Sequence, residues 1–126
     1  LDPIPQVELG KELAFRNIAT SMIDISDGLS MDLFHLCEAS NVGARIFQNK
    51  IPLSRHLSSE PIENQDKFNF ALHGGEDFQL LFTVPFSKKK EVETLLFHCY
   101  STLGCFHLLF CCSAGCSHKT SRKVLL

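Results

Sequence analysis

The segment that most restricts what this chain can fold into is Ser21-Met22-Ile23-Asp24-Ile25-Ser26-Asp27-Gly28-Leu29, an apolar run broken by two carboxylates and a hydroxyl and closed by glycine. Met22, Ile23 and Ile25 have the apolar, partly β-branched character of a buried strand, whereas Leu29, Leu33, Leu36 and Cys37 recur at helical spacing directly afterwards. The stretch therefore predicts strand, turn and helix, with its polar side chains gathered at the turn. Ser26 or Asp27 is placed to cap the first free N–H groups of the helix, and Gly28 to let the backbone approach a ligand without a Cβ in the way. A helix N-terminus attracts anions, yet Asp24 and Asp27 would repel a phosphate unless a hard cation stood between them. Magnesium with a nucleotide meets both conditions. The simpler alternative is a helix cap at Asp27 and a solvated strand-end carboxylate at Asp24.

The 126 residues suffice for one small domain, and 44% hydrophobic with 21% charged residues is a globular composition. A net charge of −2 gives no reason to expect nucleic acid or an anionic membrane as partner. The sequence has no basic-then-apolar leader and no run near the ~20 apolar residues that a membrane helix needs, so a cytoplasmic location is expected.

Before the central segment, Val7, Leu9, Leu13, Ala14 and Ile18 predict an amphipathic helix after the extended Pro3 to Pro5 lead-in. After it, the second helix should stop between Asn41 and Gly43, with Gly43 taking the left-handed conformation. Ala44, Ile46 and Ile51 then suggest extended structure, stopped by Pro52, and residues 54–65 a helical turn and surface loop. Phe68, Ala71 and Leu72 share one face of a further helix, which Gly74 and Gly75 should end through positive φ. The strand from Phe78 to Val84 ends at Pro85, and Ser87 is placed to cap a helix carrying Val92, Leu95 and Leu96. Lys88 to Lys90, Asp32 and His35 read as solvated helix faces, Arg45 as a strand-edge cation, His73 as a helix-end surface residue and Cys37 as a small core residue.

Beyond Leu96 the composition changes. Residues 97–126 contain no Asp or Glu, five of the six cysteines and the only Tyr, whereas residues 1–96 carry nine Lys and Arg against fourteen acidic residues. Of the spacings in the Cys and His cluster, only Cys112 to Cys116 and Cys116 to His118 approach those of a zinc module. The reading is a domain over 1–96 and an unmatched, poorly ordered tail over 97–126, as after a frame change.

A second stretch, Ala71-Leu72-His73-Gly74-Gly75-Glu76-Asp77-Phe78-Gln79-Leu80-Leu81-Phe82-Thr83-Val84-Pro85, completes a pattern. Taken in order with Pro3-x-Pro5, Met22 to Leu29, Val42-Gly43-Ala44 and Ile51-Pro52-Leu53-Ser54, it resembles the C-terminal half of the thiamine-monophosphate kinase family over roughly the first three-quarters of the chain. That family belongs to the aminoimidazole ribonucleotide synthetase superfamily. The resemblance implies an α+β fold, a layered mixed sheet with helices packed on it, like the C-terminal domain of that superfamily. It implies ATP-dependent phosphorylation of thiamine monophosphate to thiamine diphosphate, with Mg²⁺ as cofactor.

By the family pattern Asp24 and Asp27 would be magnesium ligands, Ser26 would touch the nucleotide phosphates and Glu76 would bind the thiamine substrate. No side chain is expected to act as a covalent catalyst. The resemblance further implies that an N-terminal kinase domain is missing as a partner, that the full-length family member is a homodimer, and that this chain alone is inactive. The alternative function is a non-catalytic remnant or binding module of the same superfamily.

Overall fold

A computed structural model describes residues 5–76, 78–101, 109–113 and 123–125. Helix α1 (Val7–Phe15) leads into strand β1 (Ser21–Asp24), helix α2 (Leu29–Ser40) and the short strand β2 (Gly43–Arg45). A single helical turn, α3 (Arg55–Ser59), precedes α4 (Asn64–His73), β3 (Leu80–Pro85) and α5 (Lys89–Ser101). Strands β4 (Leu109–Ser113) and β5 (Lys123–Leu125) complete a mixed sheet in the order β1-β3-β4-β5-β2. The architecture is α+β, as the sequence implied.

Strands β1 and β3 pair antiparallel with Asp24 opposite Leu80 and Ser21 opposite Thr83. Alternating side chains therefore enter two separate cores. On one face Ile23, Ile25 and Leu81 pack with Leu29, Leu33 and Cys37 of α2 and with Phe68, Ala71 and Leu72 of α4. On the other, Met22, Leu80, Phe82 and Val84 pack with Leu9 and Leu13 of α1 and with Val92 and Leu95 of α5. Burial pushes the Cys37 thiol up from its ordinary value, in keeping with a core role. Thr83 is a polar side chain inside this framework, and its hydroxyl is satisfied by those of Thr20 at 2.7 Å and Ser21 at 2.6 Å.

Several chain reversals use residues other than those expected. The left-handed position that ends α2 falls on Asn41 (φ 50°), not Gly43, and the Val42 N–H donates to the Cys37 carbonyl. Asn17 (φ 51°) does the same after α1, where the Ile18 N–H donates to Leu13. Asn tolerates this conformation because its short polar side chain bonds locally. Strand β2 covers only Gly43–Arg45, and a 3-10 turn (Gln48–Lys50) replaces the longer extended segment. Ser87 lies inside a 3-10 turn (Phe86–Lys88) that opens the last helix, rather than at its cap.

Lys88 pairs with Glu91 at 2.9 Å and Lys89 approaches Glu93 at 3.8 Å, so the lysine run is a solvated, salt-bridged face. The break in composition after Leu96 coincides with no break in α5, which continues to Ser101. Most of the tail, including Cys105, Cys116 and His118, lies outside the described residues.

Phe82, fully buried between α1 and α5, is the residue on which the second core turns. Phe82→Ala should cost roughly 3–5 kcal/mol. Phe86, 66% exposed, should tolerate Ala within about 0.5 kcal/mol. The urea midpoints of the two variants check the difference.

Candidate functional site

The two sequence motifs meet because they occupy adjoining ends of one antiparallel pair. β1 delivers the Asp24 to Gly28 turn at its end, and the Gly74 to Phe78 segment enters β3 beside it. Beyond the strands the ladder continues: the Ile25 N–H donates to Gln79, the Phe78 N–H to Ile25 (2.9 Å) and the Glu76 N–H to the Ser26 carbonyl (2.9 Å). Ser26 and Glu76, one from each motif, are thereby bonded backbone to backbone. Asp24, Asp27 and Glu76 are exposed, and Ser26 is half-buried. Among the described residues neither Asp24 nor Asp27 has an ion-pair partner. Asp77 lies outside the described residues.

The turn is not capped as the sequence suggested. The N-cap of α2 is Gly28 (φ 106°), with no side-chain cap, and the Gly28 carbonyl accepts the Met31 and Asp32 N–H groups at 3.0 Å. The carboxylate that organises the turn comes from within the helix. Asp32, 1% exposed, accepts the Ser26 N–H at 3.0 Å and the Asp27 N–H at 3.1 Å on a single oxygen, Oδ2. The expectation that Asp32 lies on a solvated face is therefore corrected. The signal was present, since Asp32 stands three residues after Leu29 and four before Leu36, on the apolar stripe of the helix. A carboxylate on a buried stripe requires hydrogen-bond partners.

The glycines also act differently. A Cβ on Gly75 would lie 2.6 Å from the Ser26 carbonyl oxygen, and one on Gly28 3.1 Å from the His73 backbone. Both residues let the chain segments pass closely, and Gly28 also holds a positive φ of 106° that favours glycine. Gly74 has φ −66°, and positive φ falls instead on Glu76 (63°) and Phe78 (50°). His73 is held through Nδ1 by the Ser30 hydroxyl at 3.0 Å, which also bonds the Leu72 carbonyl. It is a satisfied helix-end residue. Arg45 is exposed at the sheet edge.

Beside Asp24 opens a hollow of about 390 Å³, lined mainly by apolar groups including Pro5, Val7, Phe78 and Leu80. Among the described residues no three His, Cys, Asp or Glu side chains cluster as a complete metal site.

No family model matches the chain. It is 44% identical over 95 residues to the thiamine-monophosphate kinase of Buchnera aphidicola from Acyrthosiphon pisum, covering 75% of this chain and 28% of the relative. The Escherichia coli K12 thiamine-monophosphate kinase is 42% identical over 98 residues, covering 78% and 29% respectively. The crystal structure of thiamine-monophosphate kinase from Stenotrophomonas maltophilia superposes with a TM-score of 0.70 at 34% identity, over 77% of this chain and 30% of that one. The chain is homologous to a stretch of thiamine-monophosphate kinase. It spans under a third of the length of the kinases it matches. No helix among the described residues is long and apolar enough to cross a membrane.

Gly75→Ala should separate the two loops, because the clash is with backbone that cannot turn aside. A loss of roughly 1–3 kcal/mol is expected. Gly43→Ala, where nothing lies within 4 Å, should be silent. Paired thermal melts distinguish the two.

Proposed function

We propose that this chain supplies part of the active site of a kinase that moves the γ-phosphoryl group of ATP onto thiamine monophosphate, giving thiamine diphosphate. The observation that carries the reading is the bond between the Glu76 N–H and the Ser26 carbonyl, which fastens the two motifs into one surface. On that surface Ser26 contacts nucleotide phosphates and Glu76 contacts the thiamine moiety. Thiamine carries a cationic thiazolium and an aminopyrimidine, to which a carboxylate offers both charge and hydrogen-bond acceptors.

Asp24 and Asp27 fit Mg²⁺ by donor chemistry: both are exposed oxygen ligands on one short turn, and Mg²⁺ is commonly held by one or two carboxylates together with substrate phosphates. When bound, the ion neutralises charge on the phosphates. The chain's own residues bind and orient, and none is required as a covalent nucleophile, as is usual for phosphoryl transfer. Cys37, the one cysteine with a described side chain, is buried away from the turn in the α2 core.

Two carboxylates are too few to clamp a triphosphate and a monophosphate together. The remaining ligands belong to the part of the kinase outside the matched stretch, and the 126-residue chain by itself is expected to bind without turnover.

Asp24→Asn and Asp27→Asn should each weaken Mg²⁺-dependent ATP binding at least about tenfold, or about 1.4 kcal/mol. Glu76→Gln should weaken thiamine monophosphate binding and leave ATP binding unchanged. Calorimetric titrations of the chain, alone and with a separately produced remainder of the kinase, test both statements. Thiamine diphosphate formed by the chain alone would show that the half-site is more complete than proposed.

A further inference from the structure

Resting on the Mg²⁺ reading above, we propose that Asp32 is a positioning residue whose buried carboxylate occupies the Ser26 and Asp27 amides of the 24–28 turn in place of an anion, so that the turn takes a divalent cation and meets phosphate through that cation and the Ser26 hydroxyl. A strand-to-helix turn ordinarily offers its backbone N–H groups to an anion. Here the amides from Ile25 to Asp27 are already committed. The Ser26 and Asp27 N–H groups both end on Asp32 Oδ2, the Ile25 N–H on Gln79, and the Met31 and Asp32 N–H groups on Gly28. What the turn presents outward is rich in acceptors: the exposed carboxylates of Asp24 and Asp27 and the hydroxyl of Ser26. A third negative charge stands behind them at a position 1% exposed. Two exposed carboxylates with a third behind them attract a cation.

Geometry and charge make separable contributions. One oxygen receiving two consecutive N–H groups fixes the peptide plane between Ser26 and Asp27, and with it the directions of both side chains. An amide oxygen could do as much. The negative charge adds attraction for a cation at the turn, and it is favourably placed in the first turn of α2. Asp32→Ala therefore removes both contributions, whereas Asp32→Asn removes the charge and keeps an acceptor.

The test uses three measurements on the 126-residue chain: hydrogen exchange at the Ser26 and Asp27 amides, Mn²⁺ titration followed by electron paramagnetic resonance, and pyrophosphate titration in EDTA. Asp32→Ala should lose protection at both amides, weaken Mn²⁺ by about 10- to 100-fold and gain metal-free pyrophosphate binding that the unmodified chain lacks. Asp32→Asn should keep amide protection, gain no pyrophosphate binding and weaken Mn²⁺ by a smaller factor. Leu33→Ala, a cavity in the same helix, should lower Tm while leaving Mn²⁺ affinity unchanged. That separates positioning from mere stabilisation.

Native protection at both amides in Asp32→Ala, or unchanged Mn²⁺ affinity in its folded fraction, overturns the proposal. If Asp32→Ala does not fold, Asp32→Asn decides: unchanged Mn²⁺ affinity with protected amides overturns the role of the charge. An unmodified chain that binds no Mn²⁺ overturns the metal reading of Asp24 and Asp27 instead. In that case amide protection and pyrophosphate binding still decide for or against Asp32, since metal-free pyrophosphate binding by the unmodified chain would refute it.

Discussion

The paired bonds from the Ser26 and Asp27 amides to one oxygen of Asp32 are the constraint on which the rest of the site depends. They are charge-assisted, and roughly twice as strong as neutral hydrogen bonds. The accepting carboxylate is itself shielded from solvent, at 1% exposed. By tying the turn to the first turn of α2, Asp32 makes the orientation of Asp27 a property of the helix. Because the Ser26 carbonyl in turn receives the Glu76 N–H, the same constraint extends to the second motif. A buried carboxylate is thus bonded to the turn that carries Asp27 and, through the Ser26 carbonyl, linked to the segment that carries Glu76.

The rigidity of the platform comes from the division of the interior. β1 and β3 present alternate residues to two cores, one closed by α2 and α4 and the other by α1 and α5. Neither strand can slip by one residue without exchanging the contents of both cores, so the register that places Asp24 opposite Leu80 is strongly specified. The motif loops inherit that register. This is how residues about fifty positions apart in sequence, such as Ser26 and Glu76, come to share a backbone hydrogen bond.

The strand, turn and helix around Asp24 were legible because period-two and period-3.6 apolar patterns abut there, and so were the faces of α4 and α5. The helix ends were less legible. Asn and Gly both accept the left-handed conformation, and local sequence alone did not tell Asn41 from Gly43. The purpose of Gly75 was hidden for a different reason. A close approach between two loops is a tertiary fact, and only the partner backbone at Ser26 reveals it. Asp32 was hidden by composition: a charged residue in a helix is ordinarily solvated, and its place on the apolar stripe carried less weight than its charge. Asp24 and Asp27 stood out at the strand-to-helix junction, whereas Ser26 and Glu76 took their expected roles from the joint order of the motifs, and the structure adds that all four occupy two adjoining loops.

Glu76 and Phe78 hold left-handed backbone conformations, at φ 63° and 50°, that residues with a Cβ seldom adopt. In an L-residue such a conformation is uphill by roughly 1–2 kcal/mol, and glycine would relieve most of it. A purely stability-driven search for improved sequences would therefore be drawn to glycine at position 76. It would discard the carboxylate to which the proposed function assigns the substrate. On that proposal thermal tolerance and ligand recognition are opposed at this single position, so selection for heat resistance and selection for binding would leave different residues behind.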